Sequence, residues 1–126
     1  MTPTEFMREY AAGGKTHNLD AILSFIAQDA VFLFSNRKSH FGKDAIRRAI
    51  HRNFDIIKNE KYRVEDLEWL ASSDDVAACI YEFHWSGEID GKPAEGHGRG
   101  TAVIQRIDGE WRMVHEHLSS GDLRRE

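Results

Sequence analysis

The 126-residue sequence predicts a single α+β domain spanning 1–126, with three N-terminal helices packed in the concave face of a strongly curved, mostly antiparallel sheet. Apolar residues recur at helical spacing in the first half, and extended segments separated by short turns fill the second half. Helices followed by an antiparallel meander are typical of α+β domains with the helices on one sheet face. A curved sheet that closes on helices leaves a hollow end, where we expect a central pocket.

The first helix is predicted from its capping sequence. In "TPTE", Thr2 suits the N-cap, Pro3 suits the first helical position and Glu5 closes a capping box. We expect Gly13-Gly14 to end this helix.

Two further helices and one strand are predicted before residue 60. Asn18 suits the N-cap of the second helix, and "AVFLF" at 30–34 is typical of a short strand. The sequence "FGKD" then opens a third helix that runs to about Lys58. The apolar stripes of the two helices are Leu19, Ile22, Leu23 and Ile26, and Ile46, Ile50, Phe54 and Ile57.

The sheet is predicted from four segments in the second half of the chain. The turn sequences "SSDD", "EIDGKPAE" and "DG" separate them. The segments are "YRVEDLEWLA", "DVAACIYEFHWSG", "GHGRGTAVIQRI" and "EWRMVHEHLSS".

Composition and charge narrow the class of protein. The net charge of −4 gives no reason to expect a nucleic acid or an anionic membrane as a partner. A single cysteine, Cys79, cannot form an internal disulfide. The N-terminal "MTPTEFMREY" lacks the basic and apolar regions of a signal peptide, and no apolar run approaches the roughly 20 residues that span a bilayer. We therefore expect a cytoplasmic protein.

The turn in "RIDGEW" decides which face of the last strand looks into the hollow. A two-residue turn at Asp108-Gly109 pairs His115 with Ala102. A three-residue turn, with a left-handed Gly109 at its end, pairs Val114 with Ala102 instead. A slip of one residue exchanges the two faces of a strand. From turn chemistry we favour the three-residue turn, and the other remains open.

One face of the penultimate strand carries almost no side chains, because it consists of Gly96, Gly98, Gly100 and Ala102. Such a face suits a place where a ligand or another backbone comes close. We therefore expect Gly98, Gly100 and Ala102 to line the pocket. With the three-residue turn, the last strand adds Val114, Glu116 and Leu118 to that lining.

The order of elements, "FGKDAI" at the start of the third helix and "DGEWRMVHEHLSSG" at the end of the sheet resemble the SnoaL-like superfamily. This is the cystatin-like cone fold of nuclear transport factor 2 and ketosteroid isomerase. The stretch 75–121 most resembles the association domain of calcium/calmodulin-dependent protein kinase. The resemblance covers nearly the whole chain and implies that Val114, Glu116 and Leu118 face the cavity, while the opposite sheet face packs in a homodimer. The fold hosts isomerases, cyclases, dehydratases, hydrolases and non-catalytic modules, so it does not specify a reaction.

The resemblance implies only part of the isomerase machinery. Tyr10 matches the position of an oxyanion-hole tyrosine in ketosteroid isomerases. Phe34 stands where those enzymes keep a proton-shuttling aspartate, and Ala102 stands at or beside their second carboxylic acid. The arginines that line the kinase association pocket correspond to Glu82, Ala102 and Leu118. Steroid isomerisation by the usual residues, and binding of the same anionic ligands, are therefore not expected.

Two carboxyl groups supply the candidate chemistry. If Glu116 and Glu82 both line a semi-apolar cavity, desolvation and mutual repulsion raise at least one pKa toward neutrality, which suits a general acid or base. His84 is two residues from Glu82 on one strand and shares its face, so the pair is a candidate proton shuttle. The alternatives are carboxylates paired with Arg48 or Arg99, or reaching water, and a hydrogen-bonded histidine at the cavity mouth.

The pair His115 and His117 has a spacing that also occurs in metal sites, because both imidazoles point the same way. His97 is the only nearby third ligand, and no cysteine cluster accompanies it. We expect no metal, and we interpret these histidines as structural residues at a dimer interface.

The aromatic residues divide into two predicted groups. Aromatic side chains lie in a core or an interface more often than they form ligand platforms. We therefore expect core or interface positions for Trp69, Tyr81, Phe83, Trp85 and Trp111. The expected pocket walls are Tyr10, Phe34 and Phe54.

These features predict a pocket for a small, uncharged or weakly polar molecule. One hypothesis is an isomerase, dehydratase or cyclase that needs no cofactor and uses Glu116, Glu82 or His84, with Tyr10 as hydrogen-bond donor. The other is a non-catalytic binding or association module, which Phe34 in place of the aspartate favours.

Overall fold

The predicted order of helices and strands is present in the computed structural model, which describes residues 1–123 except the side chains of residues 14 and 15. The last three residues of the predicted domain lie outside this range. The described elements are α1 (Pro3–Thr16), α2 (Leu19–Ser24), β1 (Ile26–Leu33), β2 (Ser39–Phe41), α3 (Lys43–Ile56), β3 (Lys58–Ser72), β4 (Val76–Ile89), β5 (Lys92–Ile107) and β6 (Glu110–Ser120).

The capping box of α1 is confirmed. The backbone N–H of Glu5 donates to Thr2 Oγ1 at 3.1 Å, and Thr2 Oγ1 donates to Glu5 Oε1 at 3.1 Å. The predicted end at Gly13-Gly14 is wrong, because α1 continues to a C-cap at His17 with a left-handed φ of +53°. Gly13 serves close packing instead: a Cβ there would lie 3.3 Å from Ile22 Cγ1 on α2.

The next helices start near the predicted residues, whereas β1 begins at Ile26, before the segment 30–34 predicted for this strand. Asn18 caps α2, since Asn18 Oδ1 accepts from the N–H of Ala21 at 3.1 Å. Ile26 begins β1 rather than extending the stripe of α2, and the short strand β2 was not predicted. Of the helices that the structure describes, none has the length and apolar character needed to cross a membrane.

The sheet has the order β2-β1-β6-β5-β4-β3. Its neighbouring strands run antiparallel except β1 and β6, which run parallel. The inner face of this sheet and the helices share one apolar core, in which Phe6 and Ile22 of the helices meet Tyr81, Ile104 and Met113 of the strands. The α+β class with helices on one face of a mostly antiparallel sheet is confirmed.

The turn between β5 and β6 has two residues, so the favoured three-residue turn is wrong. Ile107 pairs with Glu110, while Asp108 and Gly109 have φ of +52° and +84°. Both central residues in the left-handed region are what a type I′ hairpin turn requires. The right-handed twist of the flanking strands favours this turn over the unprimed types I and II.

The two-residue turn alone would put His115 opposite Ala102 on the inner face, but a bulge on β6 shifts the pairing by one residue. The ladder pairs Ile104 with Met113 but Val103 with His115, which leaves Val114 as the extra residue. Beyond the bulge, Ala102 pairs with Glu116. Glu116 therefore lies on the inner face, as predicted, although Val114 sits in the bulge and Met113 is also on the inner face.

Candidate active site

A cavity of about 320 Å³ lies between the helices and the inner sheet face. This volume is at the small end of the range for ligand pockets, about 300–1,000 Å³. Exposed residues at one side mark its opening, namely Ser35 and Asn36 after β1 and Asn53 on α3. Its walls are largely apolar and consist of Ile22, Phe32, Phe34, Ile50, Phe54, Ile57, Phe83, Trp85 and Leu118. Its ionisable and phenolic groups are Tyr10, Glu60, Tyr62 and Glu116.

Glu116 is the deepest carboxyl group of this cavity, with 5% of its surface exposed. Tyr81 donates from its hydroxyl to Glu116 Oε2 at 2.7 Å, and Tyr10 donates to Glu116 Oε1 at 3.4 Å. No described side chain forms an ion pair with Glu116. The alternative of an arginine partner is therefore not what the structure shows.

Burial governs the protonation of Glu116. Loss of hydration raises the pKa of its carboxyl group to about 7, against the hydrogen bonds from Tyr81 and Tyr10, which lower it. Burial and then the nearby Glu116 charge raise the pKa of Tyr10 well above its ordinary value, so this phenol stays a donor. The carboxyl group is thus close to half-ionised at neutral pH, the condition in which it can give or take a proton.

The surrounding groups are less suited to nucleophilic chemistry. Burial, followed by the Glu116 charge, raises the pKa of the Cys79 thiol to about 12, so it does not form a thiolate. Burial and the charges of Glu116 and Glu60 also raise the pKa of Tyr62 well above its ordinary value.

The bare strand face has a different purpose from the one predicted. Across the ladder, Tyr81 lies opposite Gly100 and Phe83 opposite Gly98. A Cβ at Gly100 would lie 2.5 Å from the Tyr81 ring, and one at Gly98 would lie 2.5 Å from Phe83 Cζ. The glycines therefore make room for aromatic rings of β4 rather than for a ligand. Gly98, Gly100 and Ala102 do not line the cavity, and neither does the bulged Val114.

The predicted placement of Glu82 and His84 is wrong. Strand alternation puts them on the outer sheet face, opposite the buried Tyr81 and Phe83. His84 Nε2 lies 3.3 Å from Glu82 Oε1 and 3.4 Å from Glu65 Oε2, away from the cavity.

The histidines of β6 also lie on the outer face. His115 Nδ1 lies 2.7 Å from the carbonyl oxygen of Val31 on β1, which holds the ring against the sheet. His117 is exposed, and the proposed third ligand, His97, instead contacts Asp122 at 2.8 Å. Within residues 1–123 there is no group of three or more side chains arranged to hold a metal ion.

Several cavity residues follow the prediction, and others were missed. Tyr10, Phe34, Phe54, Glu116 and Leu118 line the cavity as expected. The polar residues that were not predicted for the site are Glu60, Tyr62 and Tyr81, of which Tyr81 was expected only as a core or interface aromatic. Alternation along "YEFHW" puts Tyr81 and Phe83 on one face, and the pairing of that face with the glycines of β5 shows that it points inward.

Comparison with solved structures shows the same fold at low sequence identity. A Novosphingobium aromaticivorans protein described as an aromatic ring hydroxylase has a TM-score of 0.84 and 21% identity, covering 93% of this chain and 85% of its own. A Xanthomonas campestris protein described as a calcium/calmodulin-dependent protein kinase II association domain has a TM-score of 0.82 and 19% identity, and the match covers 96% of this chain and 86% of that protein. A second N. aromaticivorans protein, described as a scytalone dehydratase, has a TM-score of 0.81 and 12% identity, and the match covers 96% of this chain and 86% of that protein. Other similar structures are described as NTF2-like or cystatin-like.

Comparison with curated proteins finds no match. The family model of the SnoaL-like domain matches residues 4–122, which is nearly the whole chain and includes every cavity residue named above. The solved structures add the NTF2-like and cystatin-like fold that this match implies. The chain belongs to the SnoaL-like domain family.

Proposed function

We propose that this protein binds a small, largely apolar molecule in the cavity and transfers a proton to or from it through Glu116. The observation that carries the proposal is a buried carboxyl group, in an apolar cavity, with a pKa of about 7. A carboxylate that lacks hydration is a stronger base than one in water, and its protonated form is available at the same pH.

The phenols give this carboxyl group a fixed orientation. Tyr81 is 1% exposed and holds Oε2 at 2.7 Å, so it positions Glu116. Tyr10 lines the cavity and has the longer contact of 3.4 Å, which leaves its hydroxyl able to donate to an oxygen atom of the bound molecule. A carbonyl compound with an acidic C–H bond matches this pair, and isomerisation, dehydration and cyclisation all begin with such a proton transfer.

Proton abstraction from 5-nitrobenzisoxazole tests the proposal without knowledge of the natural substrate. A base removes the C3 proton of this apolar bicycle, the C–H electrons form the nitrile, and the N–O bond breaks to give a coloured phenolate. We expect the rate to rise about tenfold per pH unit below pH 7 and to level off above it, because only the Glu116 carboxylate reacts. Glu116→Gln should lower the plateau at least tenfold.

Glu82→Gln is the matched control, since it makes the same change on the outer sheet face. It should leave the rate and its pH dependence as in the wild type. Equal rates for the wild type and Glu116→Gln would contradict the proposed proton transfer.

A non-catalytic binding module is the second candidate, and Phe34 favours it. Phe34 lines the cavity at the position where the family resemblance implies a catalytic aspartate. In this case small aromatic ketones should raise the melting temperature equally in the wild type and in Glu116→Gln, with no proton abstraction by either.

We also propose that the outer sheet face forms a homodimer. The central strands carry half-buried Ile80, Thr101, Val103 and His115 on that face, so it is less polar than an ordinary solvent-facing surface. A similar structure is described as an association domain, which supports the same idea.

A further inference from the structure

A second carboxyl group, Glu60 at the start of β3, faces the same cavity. Its side chain is 13% exposed, and Glu60 Oε1 lies 2.9 Å from Nε2 of His17 at the end of α1. His17 is 25% exposed and is not part of the cavity wall. The pair therefore connects the interior of the cavity with solvent.

The backbone at His17, and at the residue before Glu60, adopts a left-handed conformation that residues other than glycine rarely take. His17 has a φ of +53°, and Asn59, which precedes Glu60, also has a φ of +53°. The β3–β4 ladder shifts register between Lys58 and Lys61, at the residue that carries the carboxyl group. Left-handed geometry at a residue other than glycine costs about 1–3 kcal/mol and persists where the surrounding structure holds it.

The opposite strand accommodates this shift with a glycine. A Cβ at Gly87 would lie 2.8 Å from both Ile57 Cγ2 and the carbonyl oxygen of Lys58. The close approach of β4 thus allows the irregular start of β3 that turns Glu60 toward the cavity.

Stacking fixes the plane of the His17 ring. It lies parallel to the ring of Phe54, with centroids 4.2 Å apart and planes 9° apart. Phe54 lines the cavity, so a ligand that contacts Phe54 is one ring away from His17. Burial raises the pKa of the Glu60 carboxyl group, whereas the contact with His17 lowers it.

We propose that Glu60 is a second catalytic residue, a general acid reloaded with protons through His17, and that the substrate is a β-hydroxy carbonyl compound. This inference rests on the proposed function of Glu116. Two proton-handling groups in one cavity suit a substrate with two reacting points, an acidic C–H bond and a hydroxyl group that leaves.

The elimination balances with the groups present. The Glu116 carboxylate takes the proton from the carbon beside the carbonyl group, and the C–H electrons form the new C=C bond. The C–O bond breaks, and the leaving oxygen takes the proton of Glu60 and departs as water. His17 then returns a proton from solvent to Glu60, and Glu116 loses its proton to water after the product leaves.

Two probes separate this inference from the proposed function. Dehydration of 4-hydroxy-4-phenylbutan-2-one to its conjugated enone needs a base and an acid, whereas 5-nitrobenzisoxazole needs only a base. We expect Glu60→Gln to lower the ratio of dehydration rate to benzisoxazole rate at least tenfold. Glu95→Gln, at an exposed residue of β5, should leave both rates unchanged.

His17→Gln tests the role of the histidine in returning protons to Glu60, since it removes the imidazole ring and keeps a hydrogen-bonding side chain. We expect the kcat of dehydration to fall at least fivefold while KM stays within twofold, which a merely structural change would not produce. A ratio unchanged in Glu60→Gln overturns the inference, as does a wild type that does not dehydrate the probe. A wild type that does not abstract the proton of 5-nitrobenzisoxazole would instead overturn the proposed function.

Discussion

The burial of Glu116 has a measurable cost for folding. Its folded pKa of about 7 is above its ordinary value of 4.5, so the folded state binds this proton more tightly than the unfolded state. Between these two pH values the free energy of unfolding falls as pH rises, because the folded protein must ionise a carboxyl group without hydration. Glu116→Gln removes this pH dependence. The difference in the free energy of unfolding between Glu116→Gln and the wild type should therefore change by about 3 kcal/mol between these two pH values.

Urea denaturation of both proteins at pH 5 and pH 8 measures this change. The double difference cancels the titration of all other groups. The exposed Glu95→Gln should show no such change between the two pH values. A constant difference between the wild type and Glu116→Gln would show that the carboxyl group titrates at its ordinary value.

The shorter hydrogen bond to Glu116 should have the larger influence on its proton affinity. The hydrogen bond from Tyr81 at 2.7 Å lowers the pKa of Glu116. Tyr81→Phe removes this donor, so the pKa of Glu116 should rise by about one unit. Tyr10→Phe removes a contact of 3.4 Å and should have a smaller effect. Carbon-13 NMR titration of the labelled Glu116 carboxyl group measures both shifts.

Tyr62→Phe is the matched control, because Tyr62 lines the cavity without a hydrogen bond to Glu116 among the described contacts. A shift for Tyr62→Phe as large as that for Tyr81→Phe would contradict the assigned role of the short contact.

The direction of an individual site residue was predictable only where the predicted register placed the right set of alternate residues inward. Glu116 was predicted correctly on the inner face. Glu82 and His84 were not, because "YEFHW" has two plausible faces and only the packing of Tyr81 on Gly100 selects between them. Glu60 had no sequence signal, since its direction depends on an irregular start of β3.

At the scale of elements, the glycines of β5 are a packing device for the aromatic strand β4. Gly100→Ala should destabilise the fold by about 1–3 kcal/mol, because its Cβ would overlap the Tyr81 ring. The three nearest atoms to that Cβ all belong to Tyr81. In a double-mutant cycle, Tyr81→Ala should therefore remove most of the cost of Gly100→Ala, measured by urea denaturation.

Gly98 offers a contrasting case on the same strand. A Cβ at Gly98 would clash with the backbone carbonyl oxygen of Ser119 as well as with Phe83. Phe83→Ala should then leave most of the cost of Gly98→Ala in place. Equal rescue at both glycines would show that ring contacts alone explain the bare face.

The last hairpin shows why register is hard to predict from sequence. The three-residue turn was wrong, and the bulge at Val114 was not foreseen, yet the two differences preserve the same alternation at Glu116. "DG" in a type I′ turn has a recognisable signature, whereas a bulge depends on how β6 bends over the core. The correct face was therefore reached through an incorrect turn.

At the scale of the whole molecule, the fold class followed from the chain order of helices and strands. The position of the cavity also followed, because helices on one side of a curved sheet enclose space at one end.

The proposed homodimer predicts the effect of a charge on the outer face. Val103→Asp places a carboxylate on β5 between His115 and the half-buried residues of β4. An uncompensated charge buried at an interface costs about 2–5 kcal/mol, so the dimer dissociation constant should rise at least roughly tenfold. Sedimentation velocity at several protein concentrations measures this shift. Ile56→Asp, at a half-exposed residue of α3, should leave the dimer intact. A wild type that sediments as a monomer at every concentration would contradict the dimer, while the cavity chemistry of Glu116 would be unaffected.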